Sequence, residues 1–350
     1  MYKRQVFIVC SLIGITVGSS FTTISTMGIA FLGIGHILGF NSAMTAGAIV
    51  SGAFLGNNIS PLSDTTNLAA GIGEIDLFTH ISNIMWTVIP AFIISIFGYI
   101  LLGTPHLSSN LNSLNEMINH LNNGFNISFI SLLPLAFLFV FAWKKIPAIP
   151  TLLVGSTVAI ILSIINNPNL SIQKISTTVM NGYVANTGDK SLDNLLSRGG
   201  IMSMLGSACL IILALALGGL LIKFEIISTL IDKIKDFVNN APKLIGLTAL
   251  SSIMINILVG EQYLSIILPG KTFKNSFDSL GLSKKYLTRT LADAGTAVNA
   301  IIPWGVSGTF IMGTLKVNTL EYLPYAFFPL VCPIITILLG LTLKNKVNKS

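Results

Sequence analysis

Five apolar segments constrain the fold of this chain more than any other feature. They lie at residues 77–103, 129–143, 149–165, 201–222 and 323–343. Apolar segments of about 18 residues or more are long enough to cross a bilayer as helices. Only 9% of the residues are charged, whereas soluble domains carry about 25%. The sequence therefore predicts an all-α polytopic membrane protein, with the lipid bilayer as its main partner.

Lysine and arginine lie mostly in short loops, so the net charge of +7 indicates topology and does not indicate nucleic-acid binding. Cytoplasmic loops of membrane proteins are enriched in these residues. Residues 104–126 contain neither type and are placed outside. Residues 223–243 carry lysines in an amphipathic pattern, which predicts an interfacial helix on the inner face. The basic tail 344–350 is placed in the cytoplasm.

The segment 244–270 starts and ends beside cytoplasmic positive charges, so it cannot be one ordinary span. A re-entrant hairpin with Gly260 at its tip satisfies both ends. Non-helical backbone at membrane depth occurs only where protein buries it or where it lines a wet cavity. The chain then crosses outward from residue 290, and the last span returns it to the inside.

An internal repeat relates the two halves of the chain. VGSSFTTISTMG (17–28) aligns with VGEQYLSIILPG (259–270), and each is followed by a polar, interrupted helix. Asp64 lies in the first of these interrupted helices and Asp293 in the second. The traced topology makes the two halves inverted, a hallmark of secondary transporters. The predicted parts are a first repeat (6–103), scaffold spans (127–222) and a second repeat (223–343). MYKRQ (1–5) is interpreted as encoded by a library adapter, with earlier spans of the gene missing.

Three motifs carry a resemblance to a known family. They are SGAFLGNNISPLSDTTNLA (51–69), GEQYLSIILPGKTF (260–273) and TRTLADAGTAVNAIIPWGVSGTF (288–310). With these motifs the chain resembles the NhaC family of Na⁺/H⁺ antiporters, which also contains malate/lactate exchangers. The resemblance implies the ion-transporter superfamily fold, often as a homodimer, in the bacterial cytoplasmic membrane. It also implies Na⁺ and H⁺ as transported ions, with small carboxylates as the alternative substrates.

The residues around Asp64 fit a site for a hard cation. Na⁺ prefers oxygen ligands, and a helix broken at Pro61 exposes backbone carbonyls beside hydroxyl and amide side chains. The predicted Na⁺ ligands are Asp64, Thr66 and Asn67. Proton exchange is assigned to Asp64, Glu261 and Asp293, because a carboxylate at membrane depth is costly unless it has a function. The full candidate set is Ser20, Thr23, Asp64, Thr65, Thr66, Asn67, Glu261, Gln262, Asp293, Thr296 and Asn299.

Each carboxylate also has a structural interpretation. Asp64 could cap the half-helix that follows Pro61, Glu261 could form a salt bridge at the hairpin tip, and Asp293 could pair with Arg289 one turn away. The hydroxyls of Ser20 and Thr23 could bond only to their own helix carbonyls.

Other function classes find less support. An ion channel is the alternative from another class, and the absence of charged pore rings argues against it. No catalytic triad, zinc spacing or nucleotide-binding loop is visible, and Cys10, Cys209 and Cys332 lie in apolar runs without ligand spacing. The sequence therefore predicts a transporter without a cofactor and not an enzyme.

Overall fold

The computed structural model describes residues 2–102, 128–144, 146, 148–188, 193, 196–197, 199–235 and 237–343. The predicted external loop 104–126 and the tail 344–350 lie outside this part of the chain. The described residues form helices and no strand. Their bounds are Tyr2–Val17, Ser20–Thr23, Ile24–Gly28 (π), Ile29–Ile37, Ser42–Ile59, Asp64–Gly73, Leu77–Leu101, Phe129–Leu132 (3₁₀), Leu133–Trp143, Ala148–Asn166, Ile172–Asn181, Ile201–Lys223, Ile226–Lys235, Ala241–Val259, Gln262–Ser279, Lys284–Leu291, Ala292–Thr296 (π), Ala297–Asn299, Val306–Leu315, Thr319–Tyr322, Leu323–Tyr325 (3₁₀) and Phe327–Leu341.

Three of these helices are long and apolar enough to cross a membrane, namely Leu77–Leu101, Ile201–Lys223 and Ala241–Val259. A fourth span results if the bent pair Thr319–Tyr325 and Phe327–Leu341 is counted together. These findings support the all-α membrane class. The predicted amphipathic segment is also helical, over Ile226–Lys235, and it buries Ile227 and Ile231 on one side.

The chain divides into two compact units. The smaller unit contains the described residues 128–206, in which Leu133–Trp143 packs against Ala148–Asn166. Residues 166–200 are a loop in the sequence prediction, yet they include helix Ile172–Asn181. This helix starts at an N-cap, because the side chain of Ser171 accepts a hydrogen bond from the Lys174 amide.

The larger unit contains residues 2–36, 40–102 and 207–343, and it holds every predicted site residue. Its first helix, Tyr2–Val17, packs closely on Ser42–Ile59 through glycines: a Cβ on Gly52 would lie 2.5 Å from the Phe7 carbonyl oxygen. Small residues allow such close helix approach in membranes. Residues 2–5, interpreted as foreign to the gene, form the first turn of this helix.

Two turns and two breaks shape the larger unit. Turn A is Gly18–Ser19 and turn B is Gly260–Glu261; in both, the glycine has a positive φ, 72° and 74°, and the next residue caps the following helix. Turn B lies where the sequence predicted a tip. Break A is residues 60–63 and break B is residues 300–305, each of which interrupts a helix.

Several pairs of helix boundaries in the larger unit are separated along the sequence by the same number of residues as Gly18 and Gly260, which we call the repeat interval. In each pair, both residues immediately precede a helix, or both end a helix with a left-handed backbone conformation. The pairs are Asn41 with Ser283, Ser63 with Gly305, Glu74 with Lys316, and Asp76 with Asn318. The aligned segments 17–28 and 259–270 have this same interval. This interval relates Asp64 to Val306 and Asp293 to Ser51, so the two carboxylates do not stand at equivalent positions of the repeat.

Candidate functional site

Side chains of neighbouring residues donate hydrogen bonds to the backbone carbonyls that break A exposes. Pro61 has no N–H to continue the helix, and Ser63 restarts it as the N-cap by accepting from the Thr66 amide. The Thr66 hydroxyl donates to the carbonyls of Asn57 (3.0 Å) and Asn58 (3.3 Å). The Asn67 amide donates to the carbonyls of Pro61 (3.0 Å) and Ser63 (2.7 Å). Thr66 and Asn67 therefore stabilise one fixed backbone conformation of break A.

A buried triangle of polar side chains supports the same break. The Ser63 hydroxyl donates to Asn57 Oδ1 at 3.1 Å, and Asn57 Nδ2 donates to Thr65 Oγ1 at 3.0 Å. The hydroxyls of Ser63 and Thr65 are 3.0 Å apart. Asn57 and Ser63 were missing from the predicted set. Asn57 stands one helical turn before Pro61, a position that could have identified it.

Asp64 is the first residue of the half-helix Asp64–Gly73 and lies at the surface of the unit. Its Oδ1 accepts from the Thr65 amide at 2.8 Å, and its Oδ2 accepts a hydrogen bond from the Tyr263 hydroxyl. The capping interpretation of Asp64 is wrong, because Ser63 occupies the N-cap. A helix N-terminus does favour a negative charge at this position.

Turn B brings a second carboxylate to this place. Glu261 is 8% exposed, and its side chain accepts from the Leu264 amide at 2.8 Å as the N-cap of Gln262–Ser279. Glu261 stands two residues before Tyr263, whose hydroxyl binds Asp64, so the second carboxylate comes from the same turn of chain as this contact. No ion pair involves Glu261 in the described part of the chain, so the salt-bridge interpretation is wrong. Next to Glu261, the buried Gln262 has an Oε1 without a hydrogen-bond partner.

An asparagine pair organises break B. Asn299 Nδ2 donates to Asn256 Oδ1 (2.8 Å) and to the Gly260 carbonyl (3.1 Å), and Asn299 Oδ1 accepts from the Ser307 amide (3.1 Å). Asn256 Nδ2 donates to the carbonyls of Ala294 and Gly295 at 3.2 and 2.8 Å. Those carbonyls belong to the π-helical turn Ala292–Thr296, and π turns are frequent at functional sites. Asn256 was not predicted, because it lies within an otherwise ordinary apolar helix.

Asp293 belongs to a different environment. It is fully buried, and its Oδ1 accepts from the Cys332 thiol at 3.1 Å. Thr87, Thr336 and Arg289 lie near this carboxyl without a hydrogen bond to it: the Thr87 hydroxyl donates to the Ile84 carbonyl at 2.8 Å, and Thr336 Oγ1 and Asp293 Oδ2 have no partner among the described residues. No ion pair within 4.0 Å joins Asp293 to Arg289 among the described residues. The structure thus groups Asp64 with Glu261 and places Asp293 among other partners.

The remaining predicted residues, Ser20, Thr23 and Thr296, are buried. The Thr23 hydroxyl donates to the Ser19 carbonyl at 2.9 Å, so the interpretation as a bond to its own helix is confirmed for Thr23. Ser20 is buried beside it. Thr296 is buried with its hydroxyl unpartnered.

Each turn packs against the break of its own half. A Cβ on Gly18 would lie 2.7 Å from Leu62 Cβ, and one on Gly260 would lie 2.9 Å from Gly305 Cα. Across the halves, the ring of Phe21 packs on Phe310 with centroids 4.5 Å apart. The repeat interval relates Phe21 to Tyr263. The contact that Phe21 makes with the other half is therefore apolar, whereas Tyr263 binds the Asp64 carboxylate through its hydroxyl.

Ion pairs also join the two halves away from the breaks. Glu74 forms ion pairs with Lys274 at 2.7 Å and with Lys284 at 3.8 Å. The Lys274 ammonium holds the pKa of the exposed Glu74 carboxyl below its usual range, with a smaller contribution from Lys284.

Comparison with known proteins gives consistent matches over most of the chain. The profile of the Na⁺/H⁺ antiporter family matches residues 52–342. The Na⁺/H⁺ antiporter NhaC of Alkalihalophilus pseudofirmus is 42% identical over 97% of this chain and 73% of that protein. NhaC of Bacillus subtilis is 39% identical over 96% of this chain and 74% of that protein. The malate-2H⁺/Na⁺-lactate antiporter of B. subtilis is 31% identical over 98% and 73%. The chain belongs to the Na⁺/H⁺ antiporter family.

Proposed function

We propose that this protein is a secondary antiporter that exchanges Na⁺ for H⁺ across the bacterial cytoplasmic membrane. The observation that carries the proposal is the position of Asp64. Its carboxylate stands at the start of a half-helix and is bound by the hydroxyl of Tyr263 from the other half of the unit. Glu261 stands two residues before Tyr263, so a second carboxylate lies at the same turn of chain. Relatives with 42% and 39% identity are named Na⁺/H⁺ antiporters.

The chemistry of exchange follows from these groups. A hard cation such as Na⁺ takes oxygen ligands, and Asp64, Glu261 and Tyr263 present carboxylate and phenol oxygens together. A carboxylate binds either the cation or a proton, so the two ions compete for one charge. Thr66 and Asn67 act as supports in this proposal, since their side chains hold the exposed carbonyls of break A. They fix the geometry in which Asp64 meets the ion.

Alternating access rests on two inverted repeats with re-entrant turns. The recurring interval between helix boundaries and the matching contacts of turns A and B support this arrangement. In inverted-repeat transporters, one element rocks against the other around a site near the midplane. Here the Asp64–Tyr263 contact crosses between the halves, so a relative shift would expose the carboxylates to each side in turn. Assembly as a homodimer is part of the same proposal.

Proton flux in proteoliposomes tests the proposed function. Purified protein is reconstituted with an internal pH dye, and Na⁺, Li⁺, malate or lactate is added in turn. We expect saturable proton movement on adding Na⁺, stimulated by counter-flow and absent from protein-free vesicles. Proton movement driven by malate or lactate but not by Na⁺ would instead establish organic-anion exchange. Unsaturable flux would indicate a channel.

A further inference from the structure

An open surface cavity lies near the start of two neighbouring helices of the larger unit. Its volume is about 340 Å³, and it is lined by Asp76, Phe78, Thr79, Ser82, Asn83, Trp86 and Lys285. Most of these residues belong to the first turns of Leu77–Leu101. Lys285 belongs to Lys284–Leu291, the helix that leads to Asp293. The cavity thus lies at the first turns of helices Leu77–Leu101 and Lys284–Leu291, and Asp64 is not among its lining residues.

A polar face leads inward from this cavity. His80, Asn83 and Thr87 are spaced three and four residues apart, which puts them on one face of their helix. All three are buried. At the outer end His80 Nδ1 is 2.9 Å from the Thr288 hydroxyl, and at the inner end Thr87 lies near Asp293, with its hydroxyl donating to the Ile84 carbonyl at 2.8 Å. A polar stripe inside an apolar unit therefore joins the cavity to Asp293.

The stripe and the residues around Asp293 contain buried polar atoms that no group in the described part of the chain satisfies. They are His80 Nε2, Asn83 Oδ1, Arg289 Nε and Nη2, Asp293 Oδ2 and Thr336 Oγ1. A buried polar atom without a partner costs free energy, and more so at membrane depth, where lipid supplies no hydrogen bonds. Clusters of such atoms are the places where proteins hold internal water. Asn83 both lines the cavity and contributes one of these atoms, so water has an entrance.

We propose that this stripe is a water-filled route that carries protons between the surface cavity and the Asp293 carboxyl. The proposal rests on the proposed function, to which it adds a second, separate place for proton exchange. Each transfer moves the excess proton of a hydronium ion in the water chain to the Asp293 carboxylate and leaves neutral water, and the reverse step returns the proton from the carboxylic acid to water. The ionisable groups along the route are Asp76 and Lys285 at the mouth, His80 further in, and Arg289 and Cys332 near Asp293.

Cysteine labelling tests the water in this route without depending on transport. In protein with Cys10 and Cys209 changed to alanine and Cys332 to serine, single cysteines replace Asn83, Thr87 or Ile84. Ile84 is the matched control: it is on the same helix and fully buried, yet it packs in the apolar core. A small water-soluble methanethiosulfonate should modify position 83 at least about tenfold faster than position 84, the rate ratio expected for a modest difference in barrier.

Labelling of the cysteine at position 87 tests whether water reaches further toward Asp293. We expect its rate of modification to lie between the rates at positions 83 and 84. Equal and negligible rates at positions 83, 84 and 87 would show a dry polar cluster and overturn the proposal. Each variant is first checked for folding by gel filtration in detergent, and Ser82→Cys at the mouth confirms that the reagent reaches the cavity.

Proton flux in Asn83→Leu then tests what the route carries. Leucine fills the entrance with an apolar group of similar size, so we expect slower proton movement with an unchanged half-saturating Na⁺ concentration. Unaltered proton flux would overturn the proton role even if labelling shows water. A wild-type protein without Na⁺-driven proton movement would contradict the proposed function, whereas the labelling pattern would still report on the route.

Discussion

The Tyr263 hydroxyl donates a hydrogen bond to the carboxylate of Asp64, although the two residues belong to opposite halves of the repeat. Each stands beside an interruption of the helices, Tyr263 just after turn B and Asp64 just after break A. The contact therefore ties the charged residue that follows break A to helix Gln262–Ser279 of the other half. Our first predictions concern these two residues.

Asp64→Asn should abolish Na⁺-driven proton flux while the protein remains folded and inserted. Asparagine is nearly isosteric with aspartate and keeps one carbonyl oxygen, yet it neither ionises nor exchanges a proton. The helix start should survive because Ser63 is its cap. Ser63→Ala is the control and should cost about 1 kcal/mol of stability through the lost cap. Flux at the wild-type level in Asp64→Asn would move the site to Glu261 and Asp293.

Tyr263→Phe should weaken Na⁺-dependent exchange and leave the thermal unfolding midpoint nearly unchanged. The substitution removes one hydroxyl from the partly exposed contact with Asp64. A phenylalanine ring fits a contact between the two halves, since Phe21, which the repeat interval relates to Tyr263, packs on Phe310. Exchange rates measured against Na⁺ concentration give the result. An unchanged half-saturating concentration and rate would show that the hydroxyl has no part in ion binding.

Asn299→Ala should destabilise the fold. It would leave Asn256 Oδ1, the Gly260 carbonyl and the Ser307 amide without this partner. Each buried polar group left unpaired costs about 1–3 kcal/mol. The unfolding midpoint in detergent should fall clearly, whereas Asn318→Ala, which changes an exposed N-cap, should lower it less. Equal midpoints for the two variants would contradict the role of the asparagine pair.

Gly18→Ala and Gly260→Ala should both lower stability. Their φ angles of 72° and 74° lie in the left-handed region, which costs a residue with a Cβ roughly 1–2 kcal/mol. The added Cβ would also crowd Leu62 or Gly305. Gly246→Ala is the matched control, because it lies within a helix and its Cβ would meet nothing within 4 Å. The prediction fails if the control loses as much stability as the two turn variants.

Thr79→Cys and Glu321→Cys should react from opposite sides of the membrane. The two positions are related by the repeat interval, and both are exposed in the first turn of a helix. Inverted repeats place such positions on opposite faces, with residue 79 in the cytoplasm. Impermeant thiol reagents added to cells and to inside-out vesicles distinguish the two sides. Labelling of both residues from one side would rule out the inversion.

Local features of the sequence predicted the local elements of the fold. The apolar segments identified the long helices Leu77–Leu101 and Ile201–Lys223, because hydrophobic length alone decides whether a helix can span lipid. The third helix of this length, Ala241–Val259, lies in the segment for which the sequence predicted a re-entrant hairpin. Gly260 predicted turn B, and Pro61 predicted break A, because one residue tolerates positive φ and the other lacks an amide donor. The sequence also identified Asp64 and Glu261 as candidate site residues, because a carboxylate within an apolar membrane segment is costly unless it has a function.

Contacts between distant residues were decided only by the tertiary structure. The partners of Asp64 and Asp293 lie on helices far away in the chain, and so does Asn256, which organises break B. Asp64 and Asp293 each lie beside an interruption in a polar helical segment, but one follows a break and the other precedes one. A helix break and a buried carboxylate are properties of a short segment, which the sequence determines by itself. Which carboxylates share a site depends on how the helices pack, since packing alone brings distant side chains within hydrogen-bond reach.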